Sequence, residues 1–306
     1  MRGTTAAGTL LVVTTAGLLH ADPPSPDCVT ESSTVITHST TDLLSMGGVV
    51  CLVDPDNGFG EAVSRLRRFT LDQVGSAGFR IDCVEFGYLN QGSEVVASID
   101  LYVDADGGDP GPVEELVPFA SAPVVIPAGP GGGLLTATFE GGAEFMLSET
   151  ETLLISLALP PSPDDLVAGA GHTAADVQDG TTWWIYSPAC GVDEFTAFED
   201  LIPGYDLQWY VAAAGSPDVD PLTLDCDGNG VMDGVDIHRG AADLNGDGVL
   251  DACQGSPADL DGDGCVGGSD LGVLFTNWGT DGVGDLDGDG TVGSVDLGTL
   301  LAAWGC

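Results

Sequence analysis

Four segments in the last quarter of the chain place Asp or Asn at alternate positions and follow them with glycine. They are DCDGNGVMDGVD (225–236), DLNGDGVLDACQ (243–254), DLDGDGCVGGSD (259–270) and DLDGDGTVGSVD (285–296), here called the first to fourth loops. Ca²⁺ needs six to eight oxygen ligands from a tightly wrapped chain, and glycine permits the sharp turn between them. Because four segments keep this phase, we prefer calcium loops to the alternative of an acidic, glycine-rich flexible tail.

The residues after the third and fourth loops have the apolar spacing of a helix. Apolar side chains recur at i, i+3, i+4 and i+7 in two segments offset by 26 residues: Leu271, Leu274, Phe275 and Trp278, then Leu297, Leu300, Leu301 and Trp304. A helix with one apolar stripe cannot bury that stripe alone. The sequence therefore predicts two helices packed against each other.

This duplicated loop and helix, residues 259–305, resembles the dockerin type I module, a pair of half EF-hands. The resemblance implies a two-helix module at 257–306 whose Ca²⁺ ligands are Asp259, Asp261, Asp263, Asp270, Asp285, Asp287, Asp289 and Asp296, with the backbone carbonyls of Cys265 and Thr291. Position 9 is glycine in both loops, so a water is expected there. The helices contain no Lys or Arg, unlike the dockerins that bind cohesins, so the resemblance transfers calcium binding better than cohesin binding.

The first two loops resemble thrombospondin type 3 repeats, in which the chain wraps around calcium with almost no apolar core. Only residues 237–242 separate them, which is too short for an amphipathic helix and a turn. We assign residues 216–256 to this region. The resemblance implies ligands at Asp225, Asp227, Asn229, Asp233, Asp236, Asp243, Asn245, Asp247 and Asp251.

The charge balance fits cation binding. The chain has 48 acidic residues and a formal net charge of −42, and residues 217–306 contain 18 Asp but a single basic residue, Arg239. Such a segment repels itself unless cations neutralise it. Because nucleic acids and anionic membranes both require Lys/Arg surfaces, we expect neither as a partner.

Residues 1–21 have the pattern of a signal peptide. Arg2 precedes an apolar stretch from Ala6 to Leu19, and Ala21 precedes a polar, proline-rich segment. The stretch is too short for a confident transmembrane helix, and the alternative is a buried N-terminal helix. We therefore expect a secreted or cell-surface protein that is not inserted in the membrane after cleavage.

Eight cysteines without a CxxC pair indicate disulfides in an oxidising compartment. Cys226 and Cys253 avoid the ligand positions of adjacent loops, so we predict that they are bonded. Cys265 and Cys306 could close the helical module. The remaining four, Cys28, Cys51, Cys83 and Cys190, allow three pairings, of which Cys51–Cys190 with Cys28–Cys83 is one.

Residues 22–215 show the period-2 alternation of β-strands, separated by turn clusters. Three such segments centre on Ala97–Val103, Leu153–Leu159 and Leu207–Val211. The strand spacing predicts a β-sandwich, jelly-roll-like in topology. Three of its motifs, RRFTL at 67–71, VEFG at 84–87 and ACG at 189–191, resemble uncharacterised secreted proteins of planctomycete-type bacteria, which implies no activity.

The chain contains no HExxH, GxSxG or phosphate-loop motif. His38, His172 and His238 each stand alone in the sequence, and we expect surface or turn positions for them. Glycoside hydrolase is the one enzyme class left open, because paired carboxylates are recognised only in three dimensions. In the segment 181–186, Trp184 and Tyr186 share one face of a strand; they either pack in the protein or form a platform that stacks on sugars.

Two functions are compatible with this sequence. The first is a secreted, calcium-binding, non-catalytic protein of surface assembly or adhesion. The second is a carbohydrate-binding or polysaccharide-degrading accessory protein that docks to a scaffold through its dockerin-like module. The expected partners are accordingly a scaffold protein or an extracellular polysaccharide, and the expected cofactor is Ca²⁺.

Overall fold

The computed structural model is mainly β and its strands pair antiparallel. It describes residues 9–305 apart from 19–25, 27, 31, 40–43, 55–58, 61–62, 91, 109, 111–114, 130, 162–166, 169–170, 174–183, 202, 204–208, 221–222, 244–249, 251–252, 254–255 and 262–265, and it describes only the backbone at 9–18, 44–54, 59–60, 63, 167–168, 171–173 and 189. The strands are β1 Thr9–Leu18, β2 Thr34–Thr37, β3 Leu44–Asp54, β4 Phe59–Gly60, β5 Val63–Thr70, β6 Gly78–Asn90, β7 Val95–Asp104, β8 Leu116–Ile126, β9 Gly131–Met146, β10 Thr152–Leu159, β11 Val167–Ala168, β12 Gly171–Thr173, β13 Trp184–Ser187, β14 Val192–Ala197 and β15 Val211–Ser216. The helices are α1 Leu71–Val74, α2 Phe198–Leu201, α3 Asp233–His238, α4 Gly268–Thr276 and α5 Ser294–Ala302.

The chain divides into two compact units. One comprises residues 1–224 with 230–232 and is called the β unit; the other comprises 225–229 with 233–306 and is called the tail. The four loops therefore belong to the tail, except for residues 230–232 of the first loop, which belong to the β unit. None of the described helices is long and apolar enough to cross a membrane.

A six-stranded antiparallel sheet in the order β14-β13-β5-β10-β7-β8 carries much of the core. The alternation predicted for two of its strands is confirmed: Ile99 and Leu101 of β7 and Leu153, Ile155 and Leu157 of β10 are all fully buried on one face. The opposite face is also buried over part of its area. There a second apolar cluster joins one side chain from each of five strands: Leu66, Leu116, Leu154, Trp184 and Phe195.

The core face of β5 carries two arginines, which a simple reading of hydrophobicity would place in solvent. Arg65 and Arg67 lie opposite Leu157 and Ile155 in the pairing with β10 and are at most 1 % exposed. Burial lowers the pKa of each guanidinium to about 9, because the charged form loses its hydration. The strand register, rather than the polarity of the side chains, therefore places these two arginines on the core face.

A second sheet has the order β11-β6-β15-β2, with β9 also paired to β6. Of the strand predicted around Leu207–Val211, Leu207 lies outside the described residues, and β15 begins at Val211. Trp209 and Tyr210 precede it and are fully buried. The indole N–H of Trp209 donates to the carbonyl of Gly87 (3.2 Å), and the hydroxyl of Tyr210 donates to the Glu85 carboxylate (2.7 Å), which satisfies both polar groups.

A third sheet pairs β1 with β3, and β3 also pairs with β4 and β12. The backbone of residues 9–18, where the sequence predicts a signal peptide, is thus a strand, and the alternative of an N-terminal helix is wrong. Cys28 and Cys83 form a disulfide, as in one of the three pairings considered, and Cys190 is also disulfide-bonded.

The tail contains the two predicted helices, α4 and α5. Leu274 and Leu300 are fully buried and pack with Ala258, Val266 and Val292. The two halves are also cross-connected by backbone hydrogen bonds: Val266 of the third loop pairs with Gly305 after α5, and Val292 of the fourth loop accepts from Gly279 after α4. Gly279 and Gly305 are themselves 26 residues apart, so the pair has an approximate internal twofold symmetry.

Candidate metal centres

The fourth loop brings its first three acidic side chains together. Asp285, Asp287 and Asp289 each place one carboxylate oxygen within 4.8 Å of the others. Backbone N–H groups of Asp289 and Gly290 donate to Asp285 (3.2 and 2.9 Å), which curls the chain around these oxygens. Gly288 and Gly290 have φ of +69° and +86°, a conformation that glycine adopts at little cost. Three converging, negatively charged carboxylates are suitable ligands for a hard divalent cation.

Repulsion between like charges affects the pKa of Asp287. The backbone N–H of Asp289 lowers the pKa of Asp287, but burial and the carboxylates of Asp289, Asp296 and Asp285 outweigh that hydrogen bond and raise the pKa above its ordinary value. A bound cation would remove this repulsion. Thr291, whose backbone carbonyl the resemblance adds to the ligands, donates its N–H to Asp289 (2.8 Å) and so belongs to the same curled segment.

The third loop brings together its aspartates at positions 1, 3 and 12, whereas the cluster of the fourth loop has positions 1, 3 and 5. Asp259, Asp261 and Asp270 place carboxylate oxygens within 4.8 Å of one another. Asp263 and Cys265, which the resemblance adds as ligands, lie outside the described residues. The third loop thus offers three of its predicted acidic ligands in one cluster.

The aspartate at position 12 has the same role in both loops. Asp270 accepts backbone N–H groups of Leu260 (2.7 Å), Asp261 (3.1 Å) and Gly267 (2.6 Å). Asp296 accepts the equivalent three groups of Leu286, Asp287 and Gly293 at 2.7, 3.1 and 2.5 Å. Each is 1 % exposed, and each caps the helix that begins at position 10.

These hydrogen bonds have an electrostatic consequence. The backbone N–H groups of Gly267 and Gly293, together with those of the loop, hold the pKa of Asp270 and of Asp296 below the ordinary value despite burial. Both side chains are therefore ionised at neutral pH. One oxygen already accepts two N–H groups, so the position-12 carboxylate closes the loop through the backbone and retains acceptor capacity for a cation mainly on the other oxygen.

The first loop is better ordered than its resemblance to repeats without helices implies. A six-residue helix, α3, begins inside the loop at Asp233, which corrects the expectation that no helix would follow it. The Asn229 side chain donates to Asp236 (2.8 Å) and Asp227 (3.2 Å), and its backbone N–H donates to Asp225 (3.0 Å). Three of the predicted ligands, Asp225, Asp227 and Asp236, therefore contact a fourth, Asn229.

Asp233 of the first loop is tied to the predicted disulfide. It accepts the backbone N–H of Cys226 (3.0 Å), and Cys226 is bonded to Cys253. Burial raises the pKa of Asp233, and the carboxylates of Asp225, Asp227 and Asp236 add to the increase. In the second loop only Asp243 is described among the predicted ligands; Asn245, Asp247 and Asp251 lie outside the described residues.

The apolar stripe of each tail helix is only partly buried. Leu274 and Leu300 are buried, but Phe275 and Leu301 are 53 % and 52 % exposed, and Trp278 and Trp304 are 44 % and 50 % exposed. The two helices pack against each other through Leu274 and Leu300, as predicted, but this contact does not cover the whole of either stripe. Two nine-residue helices share too small an interface to cover four large side chains each.

Trp184 and Tyr186 share one face of β13, as the alternation predicts, but they do not form an exposed platform. Trp184 is 2 % exposed and lies under the guanidinium of Arg68, whose carbon is 5.0 Å from the ring centroid. Tyr186 is half-buried against Phe195, with ring centroids 5.5 Å apart. This arrangement favours the packing alternative over sugar stacking.

Of the surface or turn position predicted for His38, the turn is confirmed, since it lies in a bend after β2, but its side chain is not on the surface. It is 4 % exposed, stacks on Phe69 with ring centroids 4.5 Å apart, and contacts the Arg68 carbonyl through Nε2 (2.7 Å) and the Gln73 amide through Nδ1 (3.3 Å). These are the contacts of a structural histidine. His238 is exposed at the end of α3, and the side chain of His172 lies outside the described part of the chain.

Comparison with known proteins assigns no family. No family model and no curated protein matches the chain. Among solved structures, the chain is similar to the cysteine protease and lectin-like domains of a surface-layer-associated protein of Clostridium difficile, with a TM-score of 0.38 and 9 % identity over 61 % of this chain and 37 % of that one. A second structure, of the clostridial cysteine protease after propeptide cleavage, has a TM-score of 0.35 and 9 % identity over 61 % and 41 %. The chain spans about two fifths of these proteins, and likeness at this level assigns neither a fold family nor an activity.

Proposed function

We propose that this is a secreted, non-catalytic protein in which a β-sandwich domain of jelly-roll type is attached to a calcium-stabilised tail for surface assembly or adhesion. The observation that carries the proposal is the repetition of one carboxylate arrangement in two loops. Asp270 and Asp296, which are 26 residues apart, each accept three backbone N–H groups at equivalent positions of their loops. In each loop, carboxylate oxygens of three aspartates lie within 4.8 Å of one another. Repetition in both sequence and geometry supports a common ligand.

Calcium is the cation that suits these residues. The side-chain donors that converge are oxygens of carboxylates, which favour Ca²⁺ or Mg²⁺ over softer metals. The curled loops supply several ligands from one segment, whereas Mg²⁺ usually keeps several waters and few protein ligands. Disulfides within the tail and the β unit suit an oxidising compartment, where calcium is also available.

Calcium removal in calorimetry tests this proposal. We expect EGTA to abolish or strongly lower the transition of the tail, whose acidic loops then repel themselves, and to leave a separate transition of the β unit much less affected. The double variant Asp259→Ala/Asp285→Ala should reproduce the effect of EGTA on the helical pair. Asp281→Ala, which removes one exposed carboxylate outside the loops, is the matched control. A tail transition that ignores both EGTA and the double variant would show that these loops are not calcium sites.

The alternative function, an accessory protein docked to a scaffold, is favoured by one observation. Phe275 on α4 and Trp278 just after it are about half exposed, as are the equivalent residues Leu301 on α5 and Trp304 just after it. Phe275 and Trp278 contact each other with ring centroids 5.6 Å apart. Large exposed apolar side chains of this kind are typical of protein–protein contacts. A glycan array probed with the full chain, with and without Ca²⁺, separates a carbohydrate ligand from a protein scaffold.

A further inference from the structure

A pair of buried oxygens lies at one end of the six-stranded sheet, in the β unit. Asp104 ends β7 and Thr152 begins β10, and the two residues are direct partners in the antiparallel register. Directly opposed residues point to the same face of a sheet, with Cβ atoms about 4.5–5.5 Å apart. Both belong to the face that also carries Leu154 and Tyr102 of the second apolar cluster.

Each of these side chains has an oxygen without a hydrogen bond. Asp104 is 3 % exposed and Thr152 is 4 % exposed, and neither the Oδ2 atom of Asp104 nor the Oγ1 atom of Thr152 has a partner. The hydroxyl therefore does not hydrogen-bond to the facing carboxylate. A buried carboxylate oxygen without a donor is costly, which points to a positively charged ligand beside it.

The loop that follows Asp104 folds back beside this pair of residues. Asp104 accepts the backbone N–H of Asp106 (3.3 Å), and the side chain of Asp106 accepts the N–H of Gly108 (3.0 Å), which folds the segment 104–108 back on itself. Gly107 has a φ of +65°, and a Cβ there would lie 1.7 Å from the Thr150 carbonyl oxygen. The loop therefore touches the turn that precedes Thr152.

Acidic side chains are concentrated at this end of the sheet. Burial, together with the hydrogen bond and the charge of the adjoining Asp106 side chain, raises the pKa of Asp104 to about 6, although the backbone N–H groups of Asp106 and Gly107 oppose the increase. Glu151, next to Thr152, is a third carboxylate and is 1 % exposed; it accepts the N–H of Ser148 (2.8 Å). Arg68 approaches from the same face, but its Nη1 donates to the carbonyl of Gly108 and its guanidinium lies over Trp184.

We propose that Asp104, Asp106 and Thr152 bind a divalent cation of the calcium class in the β unit, independently of the loops in the tail. A cation at about 2.4 Å from each oxygen would supply the partner that Oδ2 of Asp104 and Oγ1 of Thr152 lack. The alternation Asp104-Ala-Asp106-Gly is the sequence signal for the site, since it is the spacing of positions 1 and 3 in the tail loops. The sequence alone does not reveal the complete site, because Thr152 comes from another strand.

The test follows the thermal transition of the β unit in the full chain while Ca²⁺ is added. To exclude the tail, the Asp259→Ala/Asp285→Ala background is used, and Mg²⁺ is titrated in parallel. We expect Ca²⁺ to raise the β-unit transition by several degrees, because a ligand that binds only the folded state stabilises it. Backbone amides of 104–108 and 148–152 should also gain protection from hydrogen exchange.

The variant Asp104→Asn gives the sharpest result because the expected sign depends on calcium. In EGTA it should be at least as stable as the parent, since it removes a buried charge beside Asp106; in Ca²⁺ it should be less stable, and the calcium-induced shift should vanish. Thr152→Ser keeps the oxygen and should retain most of the shift, while Thr152→Val should reduce it. Asp193→Asn, an exposed aspartate of the same sheet, is the control. A β-unit transition that does not respond to Ca²⁺, or an Asp104→Asn variant that responds as the parent does, overturns the proposal.

Discussion

The Cys226–Cys253 disulfide allows a quantitative prediction for the tail. The two residues are 27 positions apart, with Cα atoms separated by 5.8 Å. On the chain-entropy model, closing a loop of this length removes about 12 cal/mol/K from the unfolded chain, which corresponds to about 3.5 kcal/mol at 25 °C. The double variant Cys226→Ser/Cys253→Ser should therefore lower the free energy of unfolding of the tail by about 3.5 kcal/mol.

The loss should be located in the tail and should extend to the first loop. The Cys226 N–H donates to Asp233 at the start of α3, so the disulfide also holds the segment that carries the first set of candidate ligands. Calorimetry in saturating Ca²⁺ measures the size of the effect, and hydrogen exchange locates it. Amides of 226–238 should lose protection first, before those of α4 and α5.

The second disulfide provides a matched control. Cys28–Cys83 closes 55 residues, and the same model gives about 4.2 kcal/mol for its removal. The double variant Cys28→Ser/Cys83→Ser should lower the transition of the β unit and leave that of the tail in place. The entropic reasoning is refuted if removal of the Cys226–Cys253 bond changes tail stability by less than about 0.5 kcal/mol, the scale of an ordinary surface substitution.

Two further predictions concern single side chains. Leu274→Ala should destabilise the tail by about 2–5 kcal/mol, because Leu274 is fully buried, whereas Phe275→Ala, at 53 % exposure, should have a much smaller effect in the same calorimetric experiment. Tyr210→Phe should destabilise the β unit by about 1.5–3 kcal/mol in urea denaturation, since it removes a buried hydrogen bond to the charged Glu85, and an unchanged midpoint would contradict that role.

The parts of the fold that the sequence predicted are those governed by local periodicity. The strands around Ala97–Val103 and Leu153–Leu159 follow from period-2 alternation, and the two tail helices from apolar spacing, because each pattern is imposed by backbone geometry alone. The Cys226–Cys253 bond was predicted for a similar reason. Both cysteines lie between ligand positions, so a disulfide there does not take the place of a calcium ligand.

The parts that could not be predicted depend on which surfaces meet in three dimensions. Nothing in the apolar stripe of α4 distinguishes Leu274, which is buried, from Phe275, which is not; only the small contact with α5 decides it. Arg67 is fully buried because strand register places it on the core face opposite Ile155. The helix α3 was not expected because only residues 237–242 separate the first two loops; it fits there because it begins at position 9 of the first loop and is six residues long.

The aspartates of the tail fall into two groups that respond differently to the loss of a cation. The position-12 carboxylates of Asp270 and Asp296 are each stabilised by hydrogen bonds from three backbone N–H groups. They need no ion to remain buried and charged. Asp285, Asp287 and Asp289 converge on one point and repel one another, as the raised pKa of Asp287 indicates. An ion is therefore required mainly by the early positions of each loop, whereas the capped start of the following helix is built into the backbone. It follows that calcium loss should begin at positions 1 to 5 and reach the helices only when the loops have opened.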